Sequence, residues 1–323
     1  MNSKGLGKGI IIGLVIFAVV IGFFVYWYGF REDTVRPTVE DISFEWGEVD
    51  FESIEISADA TIYNPNPFRI NINRIYFTAL ANEMELAEGE KEDVSLSAGG
   101  ETDIHLSTNI YHEDIPRFLA SHVNNDELTD FEMNTVAEVG VGGATYNYEF
   151  GESYTAETDI LEGFNVEGVE QIYEFGTEDM PAEIILRSLS SYWGEADEDG
   201  IEIIHEAVLY NPHEKSIPLN EIEVSTEMNG IDVGTAFTED PAELSPESET
   251  RVIFRTVMEG QRLEAWWPTH VSRGERTDVA STVSAEVDTS DWDFPGMGDT
   301  YEVELMDFST PVSTDFFTPF QMF

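Results

Sequence analysis

Histidines beside carboxylates are the residues of this chain best suited to metal binding or acid–base chemistry. Two such groups occur, His112-Glu113-Asp114 and His205-Glu206, and the chain has six histidines in all. Protein metal sites place their ligands at characteristic spacings, such as two histidines one helical turn apart, and neither group has such a spacing. The sequence therefore predicts no metal ligand and no catalytic residue.

Acidic stretches and nucleophile motifs lead to the same prediction. Residues 197–200 and 238–240 loosely resemble calcium loops but lack the alternating acidic ligands of such loops. In a chain with 65 acidic residues, short acidic stretches are expected by chance, and we predict that these two are solvated turns. The chain has no cysteine, no Gly-x-Ser-x-Gly elbow and no phosphate-binding loop. The sequence therefore predicts neither nucleophilic catalysis nor a cofactor.

The chain is organised by a strand and a turn that occur twice. In Ile54–Ile62, apolar residues alternate with polar ones, which is the period of a strand with one buried face. The strand runs into Asn64-Pro65-Asn66-Pro67, where the prolines remove ladder donors and the asparagines can hydrogen-bond the turn backbone. We therefore predict that the strand ends there. The structural motif comprises Tyr63, Asn64, Pro65 and Asn66 in the first copy and Tyr210, Asn211 and Pro212 in the second.

The repetition extends over most of the chain. A shift of 147 positions places Trp46 on Trp193 and Asn64 on Asn211 without a gap, and one inserted residue later His122 falls on His270. A repeat of this length is a duplicated domain, because solenoid units recur every 20 to 50 residues or so. The recurrence of the histidine favours a shared packing role over catalysis.

These residues carry a resemblance to a known family. A strand closing on Tyr-Asn-Pro-Asn-Pro, followed by an alternating Asn-Ile-Asn-Arg-Ile-Tyr-Phe strand and an Asn-centred turn, resembles the late embryogenesis abundant (LEA) type 2 family. This family is also called the water-stress and hypersensitive-response (WHy) domain. The second copy departs from the motif by reading Asn211-Pro212-His213. The resemblance implies a small antiparallel β-sandwich with one helix, no known catalytic residues, and an association with desiccation or osmotic stress.

The predicted fold class is all-β with one helix per domain, in two tandem Ig/fibronectin-III-like antiparallel β-sandwiches after an N-terminal transmembrane helix. Separate last strands are expected near Tyr154–Asp159 and Val312–Phe316, and Pro268 is expected to kink or shorten the second helix. The predicted boundaries are 1–36 for the cytoplasmic N-terminus, anchor and spacer, 37–160 and 184–316 for the sandwiches, 161–183 for a linker or added edge strand, and 317–323 for an apolar tail.

The N-terminal segment predicts the location of the protein. Gly9–Phe30 contains no charged residue, and as a helix it would span about 33 Å, which is enough to cross a bilayer. Lys4 and Lys8 precede it, and the positive-inside bias therefore predicts a single-pass membrane protein with a cytoplasmic N-terminus and both domains extracellular. The alternative is a cleaved signal peptide, but no Ala-x-Ala-like site follows.

The charge of the chain restricts its partners. The formal net charge is −50, from 15 basic and 65 acidic residues, so we predict no binding to nucleic acid, which is itself a polyanion. A folded domain with this much self-repulsion needs strong salt screening. The composition resembles that of proteins from extreme halophiles.

Apolar side chains suggest a contact with lipid or membrane. Trp266 and Trp267 on the second helix, with Phe317 and Phe320 in the tail, are candidates for an apolar contact; the alternative is that the tryptophans close the second core. Two functions follow: a non-enzymatic, membrane-anchored protein of envelope stress protection, or a tethered lipid or apolar-ligand carrier. The predicted partners are the membrane and either lipid or another envelope protein. An Ig-like adhesion module is a third hypothesis, by analogy of fold only.

Overall fold

A computed structural model describes residues 37–141, 144–161, 165–237, 241–292, 294 and 298–313. Within these ranges the chain forms sixteen β-strands and two short α-helices, which confirms the all-β prediction. No helix in the described part of the chain has the length and apolar character needed to cross a membrane. The predicted transmembrane segment Gly9–Phe30 and the tail residues Phe317 and Phe320 lie outside the described residues.

The first unit comprises residues 37–158. Strands β1, β2 and β5 form one antiparallel sheet in that order, and β4, β3, β6 and β7 form the other. The helix α1 follows β5 and leads into β6, so it connects the two sheets. The elements are β1 (Thr38–Val49), β2 (Ser53–Asn64), β3 (Ile70–Ala81), β4 (Met84–Leu96), β5 (Gly100–Tyr111), α1 (Ile115–Asn124), β6 (Leu128–Val141) and β7 (Ala144–Glu157).

The second unit comprises residues 159–313. Its elements are β8 (Val166–Thr177), β9 (Met180–Ala196), β10 (Gly200–Asn211), β11 (Ile217–Met228), β12 (Ile231–Phe237), β13 (Ala242–Leu244), β14 (Ser248–Glu259), α2 (Gly260–Ser272), β15 (Arg276–Asp288) and β16 (Thr300–Ser313). The strand order is β16-β15-β11-β12-β14-β10-β9-β8, with the short β13 paired to β11. The two end strands, β8 and β16, also contact each other, so the sheet wraps around its core.

The two units repeat each other strand by strand. The pairing of β2 with β5 sets Asp59 opposite His105, and the pairing of β10 with β14 sets Glu206 opposite Ile253, at the equivalent positions. The second unit has two more strands. β8 lies in the segment 161–183 and pairs with β9 at the edge, and β12 and β13 both pair with β11 where the first unit has the single strand β4 paired with β3.

Three local predictions need correction. β7 and β16 each run without interruption through Glu157 and Ser313, so the separate last strands expected near Tyr154 and Val312 are parts of longer strands. Pro268 lies inside α2, which still extends over 13 residues. A proline in a helix interior removes one backbone hydrogen bond, and the burial of Trp266 and Trp267, which directly precede Pro268, stabilises the helix.

The alternation of residues along the strands produces the cores. Along β10 the side chains from Ile201 to Asn211 are alternately buried and partly exposed. The second core gathers buried residues from both halves of the sheet, including Leu209 on β10, Ile222 on β11 and Val283 on β15. Each β3–β4-type hairpin closes on a two-residue turn with positive φ, Asn82-Glu83 in the first unit and Asn229-Gly230 in the second. Such turns favour asparagine and glycine, which tolerate this conformation.

Candidate functional site

The repeated asparagine is a fully buried side chain that holds the turn together. Asn64 Nδ2 donates to the carbonyl oxygens of Phe68 (3.0 Å) and Leu96 (3.4 Å), and its Oδ1 accepts from the backbone N–H (3.1 Å) and Nδ2 (2.9 Å) of Asn66. Its exposure is 0%. The side chain thereby satisfies backbone groups that the prolines prevent from pairing in a ladder.

The second unit builds the same turn with different neighbours. Asn211 Nδ2 donates to the carbonyl oxygens of Lys215 (2.8 Å) and Leu244 (3.0 Å), and its Oδ1 accepts from the backbone N–H of His213 (2.9 Å). His213 therefore replaces Asn66 without loss of the backbone bond. Tyr63, Pro65, Tyr210 and Pro212 flank the two asparagines and are only partly buried.

A second asparagine in each unit ties the hairpin turn to the helix. Asn82 Nδ2 donates to Ser121 Oγ (3.3 Å) and to the carbonyl oxygen of Leu128 (3.3 Å), and its Oδ1 accepts from the N–H of Asp130 (2.9 Å). Asn229 makes the equivalent bonds to Thr269 Oγ1 (3.1 Å), the carbonyl of Arg276 (3.1 Å) and the N–H of Asp278 (2.9 Å). These bonds fix the helix against its sheet.

The recurring histidine lies between the helix and the following strand. His122 Nδ1 lies 2.8 Å from Thr129 Oγ1, and its Nε2 lies 2.7 Å from Thr158 Oγ1. In the second unit His270 Nδ1 lies 2.7 Å from Thr277 Oγ1. Burial lowers the pKa of His122, and it lowers the pKa of His270 to about 4. Enclosed neutral imidazoles of this kind serve packing rather than proton transfer with a substrate.

The two tryptophans of α2 enclose this histidine. Trp266 Nε1 donates to Thr277 Oγ1 (2.9 Å), and the His270 ring stacks on Trp267 at a centroid distance of 5.6 Å. Trp266 and Trp267 are 7% and 4% exposed. Because both tryptophans are buried, the structure favours the alternative in which these side chains close the second core. It does not favour the alternative of a contact with a ligand or membrane.

A polar cluster occurs in the second core that has no equivalent in the first. His205 Nδ1 lies 2.9 Å from Ser191 Oγ, its Nε2 lies 3.2 Å from Thr256 Oγ1, and its ring stacks on Phe254 at 4.9 Å. Burial lowers the pKa of His205 to about 4. Ala58 and Phe44 occupy the positions of His205 and Ser191 in the first unit. Both ring nitrogens are engaged with hydroxyls, so the serine–histidine pair is a hydrogen-bonded core element.

The second unit also contains a small apolar cavity. It has a volume of about 20 Å³ and lies between the halves of the sheet, lined by residues that include Tyr173, Leu209, Ile222 and Leu305. Burial raises the pKa of Tyr173 to about 12. A cavity of this size is close to the minimum for one water molecule, and α2 does not line it.

No cluster of three or more histidine or carboxylate side chains in the described ranges is arranged to hold a metal ion. His112 Nε2 instead lies 3.2 Å from the carbonyl oxygen of Asp50, in the turn between β1 and β2. Asp197 Oδ1 accepts from the N–H groups of Asp199 (3.0 Å) and Gly200 (3.1 Å). The predicted acidic turn at residues 197–200 is therefore stabilised by hydrogen bonds among its own residues.

Residues 59–150 match the family model of late embryogenesis abundant proteins (LEA type 2). No curated protein matches the chain. Among solved structures, a protein from Archaeoglobus fulgidus is similar with 23% identity and a TM-score of 0.35, covering 40% of this chain and 98% of that one. A protein from Arabidopsis thaliana is similar with 21% identity and a TM-score of 0.27, covering 40% of this chain and 91% of that one.

The family match lies within the first unit, from the middle of β2 to the middle of β7. It includes Asn64, Pro65 and Asn66, the residues on which the sequence motif rests. It therefore supports a stress-related LEA-type protein.

Sequence reasoning missed the cluster around His205. The three polar residues are 14 and 51 positions apart, on separate strands, and no local motif connects them. The available signal was the repeat itself, since the first copy has an alanine where the second has a buried histidine.

Proposed function

We propose that this chain is a non-enzymatic protein with two tandem LEA type 2 (WHy) β-sandwich units of Ig/fibronectin-III-like type, tethered to the cell membrane by residues 9–30. Its function is protection of the cell envelope during desiccation or osmotic stress. The observation that carries the proposal is the family match over residues 59–150. The repetition of the buried Asn64 turn at Asn211 and of the Asn82 tie at Asn229 supports its extension to the second unit.

The interior of the second unit supports a protective rather than a carrier function. A lipid carrier needs an apolar groove between sheet and helix, whereas the described cavity of about 20 Å³ does not reach α2. His122, His205 and His270 are buried and bonded to neighbouring hydroxyls, which accounts for these three histidines without a reaction.

Survival of the cells tests the stress function. Cells without the protein should survive drying and rapid dilution of the medium less well than wild-type cells, and the full chain should restore survival. A chain reduced to residues 1–36 is the control for the anchor alone. Equal survival of the deleted and wild-type cells would contradict the proposal.

Two further measurements test the tether and the carrier alternative. Protease added to intact cells should remove an epitope tag placed after Phe323 and spare one placed before Lys4; release of the mature chain into the medium would show a cleaved signal. Native mass spectrometry of the full chain purified from its own membrane should show no lipid bound in a fixed ratio to the protein. Annular lipid around the transmembrane segment should be lost when the ions are activated. A tightly held lipid would favour the carrier.

A further inference from the structure

The outer surface of β10 and β14 in the second unit differs from the equivalent surface of the first unit. We call it the mixed face, and it consists of Ile204, Val208, Arg251, Ile253, Arg255 and Val257. Ile253 and Val257 are 47% and 42% exposed, so these β-branched side chains face solvent. Tyr192, which pairs with Ile204 on the neighbouring β9, extends the apolar surface.

The first unit provides an internal comparison. The β2–β5 and β10–β14 ladders have the same register, so every residue of the mixed face has a defined equivalent. In the same order these equivalents are Ser57, Thr61, Asp103, His105, Ser107 and Asn109. All six are polar, whereas the mixed face has four aliphatic residues and two arginines. The difference therefore belongs to one surface of one copy, since the turns and helix ties of the two units are alike.

Two glutamates of β10, Glu202 and Glu206, point to the same side as the mixed face and balance its two arginines. Arg255 Nη1 donates to Glu202 Oε1 at 3.0 Å, and Arg251 forms an ion pair with Glu206. Glutamates and arginines are thus arranged in two adjacent rows, with the glutamates on β10 and the arginines on β14. With 65 acidic and 15 basic residues, the protein as a whole repels copies of itself, and a balanced surface is where that repulsion is least.

We propose that the mixed face is a self-association surface that packs against the mixed face of a second copy of this chain. A twofold axis between β10 and β14, parallel to the strands, stacks β10 of each copy on β14 of the other. Arg255 of one copy then faces Ile204 of the other, with Glu202 and Glu206 of that copy on either side along the strand. A purely acidic partner would find both arginines already paired, and it would be repelled by the rest of the surface. A second copy supplies both signs of charge at the same spacing together with matching aliphatic side chains.

The size of the face sets the strength of the contact. Strands lie about 4.8 Å apart and rise about 3.4 Å per residue, so β9, β10 and β14 over about nine residues present roughly 450 Å². Two copies then bury on the order of 900 Å², which is below the size of stable complexes. The association is therefore weak and reversible.

The full chain contains no cysteine, so a single introduced cysteine reports on this contact alone. Val257→Cys places a thiol on the mixed face, and Asn109→Cys places one at the equivalent exposed position of the first unit. With the full chain in its native membranes, a bismaleimide that spans two facing sheets should give a dimer of the Val257→Cys chain severalfold more abundant than that of the Asn109→Cys control.

Restoring the residues of the first unit should abolish the contact. In the Val257→Cys background, Ile204→Ser and Ile253→His introduce the side chains found at Ser57 and His105, and the cross-linked dimer should fall to the level of the control. An unchanged thermal midpoint shows that this variant is folded. Equal cross-linking at the two cysteines, a dimer that persists in the restored variant, or a cross-linked product with a mass other than twice the chain would overturn the proposal.

Discussion

Asn64 and Asn211 show how much one buried amide can organise. Each bonds two carbonyl oxygens and a backbone N–H in a turn where proline prevents ladder pairing. An apolar replacement would leave these backbone groups buried without partners. At this scale the residue acts as part of the backbone network rather than as a site for a ligand.

Asn64→Ala should lower the free energy of unfolding of the first unit by about 2 to 4 kcal/mol, because at least two buried backbone groups lose their partners. Denaturant unfolding followed by circular dichroism measures this. Asn71→Ala is the control, since Asn71 is exposed and accepts one bond from Ser95 Oγ, and it should cost about 0.5 kcal/mol or less. Equal midpoints for the two variants would refute a structural role for Asn64.

His205 should make the second unit sensitive to acid. Its pKa is lowered by burial to about 4, whereas an unfolded histidine titrates near 6.5. The unfolded state therefore binds the proton more readily, and stability falls as the pH drops from about 6.5 towards 4, by about 3 kcal/mol for this group.

His205→Ala should remove the part of the pH dependence of stability that is due to His205. Ala58 occupies the equivalent position in the first unit, so the fold accommodates the substitution. Unfolding curves between pH 7 and 4 should be less pH-dependent in the variant than in the wild type, and the difference isolates His205 because the carboxylates are the same in both. Parallel pH dependences would show that His205 is not buried and neutral.

At the scale of elements, the two helices are fixed in related but unequal ways. Asn82 and Asn229 tie each helix to its hairpin, and Thr129 and Thr277 contact the recurring histidine. Thr277 additionally accepts a hydrogen bond from Trp266, for which the first unit has Phe118. The second helix therefore depends more strongly on its threonine.

Thr277→Val should destabilise the second unit by about 1 to 3 kcal/mol, because the hydroxyl that accepts from Trp266 Nε1 and hydrogen-bonds with His270 Nδ1 is lost from a site that is 1% exposed. Thr129→Val, the matched control, loses only the contact with His122 and should cost less. Hydrogen exchange of the helix amides, read separately for α1 and α2, measures both. An equal loss of stability in the two units would show that the hydrogen bond from Trp266 to Thr277 does not stabilise the second helix.

At the scale of the whole molecule, charge dominates. The 65 acidic residues outnumber the 15 lysines and arginines by 50, so most of the carboxylates are not neutralised by cations of the chain. The ion pairs that form, such as Arg74 with Glu90, are substantially exposed and contribute little each. Stability must therefore come from the apolar cores and from screening of the remaining charge.

The chain without residues 1–36 carries a formal charge of −52, and it should fold only in concentrated salt. The screening length is about 10 Å at 0.1 M and about 3 Å at 1 M, so molar salt reduces repulsion between carboxylates on one surface. Circular dichroism during a potassium chloride titration should show strand signal appearing as salt is added. A chain fully folded at low salt would contradict this prediction.

The sequence by itself determined the strands, the helix positions and the repeat. The alternation in Ile54–Ile62, the proline-closed turn and the register between Asn64 and Asn211 are local patterns, and backbone sterics and the two-residue period act over a few residues. The tertiary structure decided which distant strands became neighbours. The cluster of His205 with Ser191 and Thr256, and the mixed face of β10 and β14, exist only because β9, β10 and β14 are adjacent. That order follows from burial of the whole core, to which each strand contributes only a part, so no single stretch of sequence specifies it.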